Sequence, residues 1–141
     1  MVYLGGNKMK RFLVVGLIMV LVISSLAGCK GQTYEDVLNE YTQKIQESAP
    51  TLVEEFKTET SGITDITKLA EISNQKIQKL AEISTEGIGK MAEIKIKNND
   101  DNGVYEEWAK KLTDIYEAEA KKVTDEYEKV SKNALNSLLP Q

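Results

Sequence analysis

Three groups of side chains in this 141-residue chain are of types that do chemistry, and each competes with a plainer role in packing or turning the chain. Glu71, Glu82 and Glu93 recur every eleven residues, and so do Lys68, Lys79 and Lys90. Paired carboxylates work as acid and base only where a concave site separates their pKa values. Regular recurrence along one helix sets them on a solvated face instead. Asn98-Asn99-Asp100-Asp101-Asn102-Gly103 offers side-chain oxygens at 98, 100 and 102 and a glycine at the sixth position, as a calcium loop does. Such a loop needs a bidentate Glu at its twelfth position, which here is Ala109. The segment is therefore expected to be a turn between helices, with Asp101 or Asn102 capping the second. Tyr105, Trp108, Tyr116 and Tyr127 could stack on a ligand, but their spacing aligns most of them with Leu112 and Val123, which points to a core face.

What is missing narrows the chemistry further. The chain has no His and a single Cys, so the commonest general bases, nucleophiles and transition-metal ligands are lacking beyond Cys29. One cysteine also rules out an intramolecular disulfide. No catalytic residue, cofactor or metal site is expected, and the chain reads as a non-enzyme. All 22 acidic residues follow Cys29, whereas Lys8, Lys10 and Arg11 precede it. The part beyond Cys29 is thus more acidic than the net charge of −4 for the whole chain. Nucleic acid is a poor partner for it, and anionic lipid headgroups do not attract it.

The lone cysteine sits in a different setting. Met9, Lys10 and Arg11 form a positive start, Phe12 to Ile23 an apolar stretch, and Ser24 to Gly28 a small-residue approach to a cleavage point. This is the three-part layout of a secretory signal. A helix of that length reaches about 18 Å, short of a hydrocarbon core about 30 Å thick. Leu26-Ala27-Gly28-Cys29 resembles the lipobox of bacterial lipoproteins at all four positions. The resemblance implies diacylglycerol on the Cys29 sulfur, cleavage between Gly28 and Cys29, and a mature chain anchored by lipid to the outer face of the bacterial cell membrane. Two acyl chains, at about 0.8 kcal/mol per buried methylene, make such anchoring stable. An ordinary secretory signal or an uncleaved membrane anchor is the alternative, and either leaves Cys29 incidental. Residues 1–28 are accordingly expected to be a signal peptide, with Met9 as a second candidate start, and 29–32 a lipidated N-terminus and short tether.

The elements that must carry these residues are helices. Apolar residues at 34, 37, 38, 41, 45, 49, 52, 53 and 56 follow intervals of three and four and predict a helix over 33–60, closed by Ser61-Gly62. Thr33 and Asp36 form a variant capping box, and Pro50 is expected to bend the helix without breaking its apolar face. Leu69-Ala70-Glu71-Ile72, Leu80-Ala81-Glu82-Ile83 and Met91-Ala92-Glu93-Ile94 repeat at eleven residues, in step with Ile66, Ile77 and Ile88. Eleven residues close three turns, so this stripe is nearly straight and predicts one long helix over 63–97. Gly87 and Gly89 within it mark either a close helix contact or a soft point. Tyr105, Trp108, Leu112, Ile115, Tyr116, Val123, Tyr127, Val130, Ala134 and Leu138 predict a third helix before Pro140. The expected fold is all-α: an elongated three-helix bundle of long antiparallel helices over 33–141, after an N-terminal signal helix. Its core should pair the eleven-residue stripe with the Trp108 face.

Anchor, slim architecture and missing chemistry together suggest a membrane-anchored, non-enzymatic helical interaction module of the cell envelope. Its expected partners are the membrane, through the diacylglyceryl group on Cys29, and an envelope protein or peptide. A structural envelope role is the first alternative, because the plan resembles the murein lipoprotein of diderm envelopes. That family is linked to peptidoglycan through a C-terminal Lys, whereas this chain ends Leu139-Pro140-Gln141. An exclusion or immunity lipoprotein and a carboxylate enzyme hidden by tertiary folding are the others. Oligomeric state and envelope type, monoderm or diderm, stay open at this stage.

Overall fold

A computed structural model describes residues 31–138, so the expected signal segment and Cys29 lie outside the described residues. Chain direction is first set at Thr33, whose hydroxyl accepts from the Asp36 N–H at 3.2 Å while Asp36 Oδ2 accepts from the Thr33 N–H at 2.9 Å. This reciprocal cap satisfies two N–H groups that a helix start leaves open. It begins α1, Tyr34–Glu59. The helix runs through Pro50, which is exposed, as is Gln46, whose carbonyl loses its helical partner there and can take water. On the opposite side Ile45, Ala49, Leu52 and Phe56 continue the buried face in register.

Thr60 closes α1 with its hydroxyl on the Phe56 carbonyl at 2.7 Å, and Gly62 turns the chain at φ 78°, a conformation that favours glycine. The second helix, α2, spans Ile66–Asn98 and starts three residues later than the periodicity predicts. The reason is Asp65, whose carboxylate accepts from the N–H groups of Thr67 and Lys68 at 2.9 and 3.3 Å and so fixes the N-cap, leaving Ile63 in the turn with its N–H on the Thr60 carbonyl. At its far end Asn99 takes the left-handed conformation, φ 56°. Asp101 then caps α3, Asn102–Leu138, by accepting from the Gly103 N–H at 2.7 Å.

With turns this short, α1 and α3 run in one direction and α2 in the other, and each helix packs against both neighbours. Val37, Ile45, Leu80, Leu112 and Val123 are wholly buried between them. One contact brings all three helices close together. A Cβ added to Gly87 would stand 2.6 Å from Leu112 Cδ2 and 2.7 Å from Tyr41 Cγ, so all three helices meet at a residue with no side chain. Gly89 has nothing within 4 Å of the same position. Of the two readings offered for these glycines, the close helix contact applies to Gly87, while Gly89 makes no such contact.

The core departs from expectation in one respect. The centre of the α2 face is Leu69, Ser73, Lys76, then Leu80, Ser84, Gly87, then Met91 and Ile94, while Ile66, Ile72, Ile77, Ile83 and Ile88 are only half-buried. Because α2 divides its buried face between two partners, the line facing both lies deepest and the isoleucines flank it. Trp108 likewise meets more than the stripe: its ring stacks on Tyr34 of α1, centroids 6.1 Å apart and planes 7° from parallel. No described helix is long and apolar enough to cross a membrane.

Candidate functional site

The end of the bundle reached first from Cys29 gathers the start of α1, the end of α2 and the start of α3. Gly31, two residues past Cys29, lies against Lys97: a Cβ built on it would be 2.8 Å from Lys97 Nζ. Tyr34 is buried there under Trp108, and Lys111 places its ammonium 4.2 Å from the centre of the Trp108 ring. Lys95 sits 5.8 Å from the Tyr105 ring and also donates to Asn102 Oδ1. The Tyr34 hydroxyl is buried without a hydrogen bond of ordinary geometry among the described residues. Burial, and secondly the Asp100 carboxylate nearby, push its pKa up. Two apolar side chains flank the turn without cover, Ile96 at 80% and Val104 at 45% exposure.

Asn98 to Gly103 spends its polar groups on the turn. Asn98 donates to Asp100 Oδ2 at 3.3 Å, Asp101 caps α3, and Asn102 receives Lys95. That is a helix connection, as the missing twelfth ligand implies. Among the described residues no group of three or more acidic, His or Cys side chains gathers in a metal-binding arrangement. Tyr105, Trp108 and Tyr116 are half-buried and pack on the core, and Tyr127 is half-buried further along α3. The aromatic face is thus chiefly packing, with its outer edges in solvent.

The repeated charges do not converge. Glu71, Glu82 and Glu93 are exposed; Glu93 receives Lys90 at 3.3 Å and Glu82 receives Gln78 at 3.3 Å, both neighbours on the same helix. Lys68 is exposed, and Lys79 reaches Glu55 of α1 at 3.4 Å. Sequence reasoning missed a charged cluster that is drawn inward between α1 and α2. Lys76 is buried, its ammonium held by Glu55 at 2.9 Å and Glu59 at 2.7 Å. Desolvation works to lower its pKa, but the hydrogen bonds to Glu59 and Glu55 outweigh it and the pKa is raised. A lysine nucleophile needs the opposite shift. Lys76 therefore stays an ammonium and acts as a structural charge.

Two further polar side chains of the interior are paired. Tyr41 donates from its hydroxyl to Glu86 at 2.8 Å, and burial, followed by Glu86, raises its pKa. Glu119 on α3 receives Lys122 at 2.6 Å. The concavities are shallow: a groove of about 370 Å³ between α2 and α3, walled by Ile77, Tyr116, Ala120 and Thr124, and one of about 420 Å³ beside the α1–α2 turn. Glu117, Asp125 and Glu128 also line the first of these, and Glu126 the second. No protein-family model matches this chain, and no curated protein or solved structure is detectably similar to it.

Proposed function

We propose that the chain is the precursor of a bacterial lipoprotein, acylated at Cys29, whose mature part is a non-enzymatic helical interaction module held at the membrane surface. The observation that carries this reading is the junction itself. A four-residue lipobox ends at Cys29, and only three residues separate that cysteine from the Thr33 cap of a self-contained bundle. Such a bundle fills its interior with its own side chains and offers a partner its faces and ends. Its charges are engaged in short-range pairs along and between helices, which suits a stable, soluble surface more than a reaction centre.

Metabolic labelling with an alkyne fatty acid, followed by lysine crosslinking of intact cells, tests both parts. Wild type should label and should yield discrete adducts with envelope components through exposed lysines such as Lys121, Lys129 and Lys132. Cys29→Ser should stay unlabelled and unprocessed, since serine lacks the thiol that takes the lipid. Equal labelling of the serine form would remove the anchor from the reading. A labelled wild type that forms no adduct would remove the interaction role and leave the anchor.

A further inference from the structure

The uncovered large apolar residues fall at the two ends of the bundle, Leu135 and Leu138 late in α3 and Ile96 and Val104 at the end where α1 begins. Ile96 in the last turn of α2 and Val104 in the first turn of α3 project on either side of one turn, at the end of the bundle where α1 begins. Isolated exposed apolar residues need no explanation. Here their position in relation to the anchor supplies one. Gly31 lies against Lys97, the neighbour of Ile96, and two residue steps from Gly31 to Cys29 span at most about 7 Å. A diacylglyceryl group on Cys29 would therefore hold this end of the bundle at the level of the lipid headgroups, because the covalent chain is too short to let it rise.

We propose that the Ile96–Val104 end of the bundle rests on the lipid surface, with both side chains entering the headgroup region. The inference depends on the lipoprotein reading of Cys29. The composition of this end suits a membrane interface: Lys95 and Lys97 flank Ile96 and can extend their ammonium groups outward along apolar stems. Tyr105 and Trp108 stand just behind, as amphipathic rings do at a membrane boundary. Glu35, Asp36, Asp100 and Asp101 lie at the same end and outnumber Lys95 and Lys97. Insertion is thus driven by apolar contact and not by anionic headgroups. The consequence is a bundle held by two contacts, a lipid and a protein tip, in place of a domain swinging on a tether.

The test uses the full-length, processed protein in phosphatidylcholine vesicles. Acylation consumes the Cys29 thiol, so a cysteine introduced by Asn98→Cys, or separately by Leu135→Cys near the other end of α3, is the one free site for a nitroxide. At position 98 the label should collide more with oxygen than with a water-soluble nickel chelate, and at 135 the preference should reverse. Adding Ile96→Glu and Val104→Glu should make the label at 98 water-like while the protein still floats with the vesicles. Replacing part of the lipid by phosphatidylglycerol should not raise the oxygen-over-nickel preference at 98, and a marked rise would overturn the apolar contact as the driving force. A water-like label at 98 in floating wild-type protein would overturn the docking and spare the anchor. Protein that does not float and accepts a second nitroxide at Cys29 would overturn the anchor reading itself. Spin–spin broadening at 98 would show a second copy covering this end, which also overturns the proposal.

Discussion

A lysine inside a helical bundle is tolerable when its ammonium keeps opposite charge beside it, and Lys76 finds that charge on another helix. The pair is asymmetric. Lys76 is enclosed, whereas the side chains of Glu55 and Glu59 are 41% and 46% exposed, so losing the lysine leaves Glu59 to water and Glu55 to water and Lys79, while losing the carboxylates strands an ammonium. Lys76→Met should therefore change stability by less than about 1 kcal/mol, and the double change Glu55→Gln with Glu59→Gln should cost about 2 to 3 kcal/mol. Urea unfolding at pH 7 measures both, and equal losses would contradict the asymmetry. The same cluster sets part of the pH dependence. The Lys76 ammonium holds Glu55 below the usual carboxylate range, so its stabilisation is present above the unfolded pKa of about 4.3 and is lost as pH falls through the lower folded value. Unfolding between pH 7 and pH 2 should show a shallower acid limb in Lys76→Met than in wild type. It should not be flat, because Thr33 holds Asp36 low and Lys111 holds Glu107 low in both proteins. An unchanged limb would mean that Lys76 and Glu55 are not coupled in solution. The burial of Lys76 was hidden in the sequence because a lysine within a charged repeat ordinarily belongs to a solvated face. The available signal was register: Lys76 follows Leu69 by seven residues, as Gly87 follows Leu80.

That register governs the helix as a unit. One slot of the eleven-residue repeat holds the long Lys76 in its first copy and Gly87 in its second, so the spacing of α2 from its neighbours must be generous at one level and minimal at the next. Helix propensity alone would make either glycine better as alanine, by about 1 kcal/mol. Packing decides between them. Gly89→Ala meets open space and should gain close to that amount. Gly87→Ala must displace Leu112 and the Tyr41 ring, and overpacking of this kind costs about 1 to 3 kcal/mol, so the net change should be a loss. Leu80→Ala, at a wholly buried position, should lose about 2 to 5 kcal/mol in the same denaturation series. Identical responses at 87 and 89 would sink the three-way contact. Helix number, the Thr33 cap, the Asn98–Gly103 turn and the burial of Leu80 and Met91 were legible from spacing, since each depends on neighbours in sequence. The stacking of Tyr34 on Trp108 and the choice of Gly87 over Gly89 were not. Both depend on how three helices share one interior, and periodicity along a single helix does not carry that information.

At the scale of the whole bundle, apolar filling is uneven along the axis. Up to Val123, α3 contributes Tyr105, Trp108, Leu112, Ile115, Tyr116, Ala120 and Val123 to the main core, while beyond Val123 the buried residues of α3 are Ser131 and Ala134. Ser131 also leaves its hydroxyl without a hydrogen bond among the described residues. Past it Leu135 and Leu138 face solvent at 52% and 64% exposure. Fewer apolar contacts hold this part, and local opening there should be easier than unfolding of the whole. Hydrogen exchange should accordingly show amides of 128–138 exchanging at least about tenfold faster than those of 108–123, corresponding to a local opening free energy lower by about 1.4 kcal/mol. The firm part of α3 would then be the half that meets Tyr34 and the Gly87 contact. Uniform protection along α3 would show that Phe56 and Leu69, both wholly buried on the other helices, compensate for the small residues of α3, and the bundle would open as one unit from end to end.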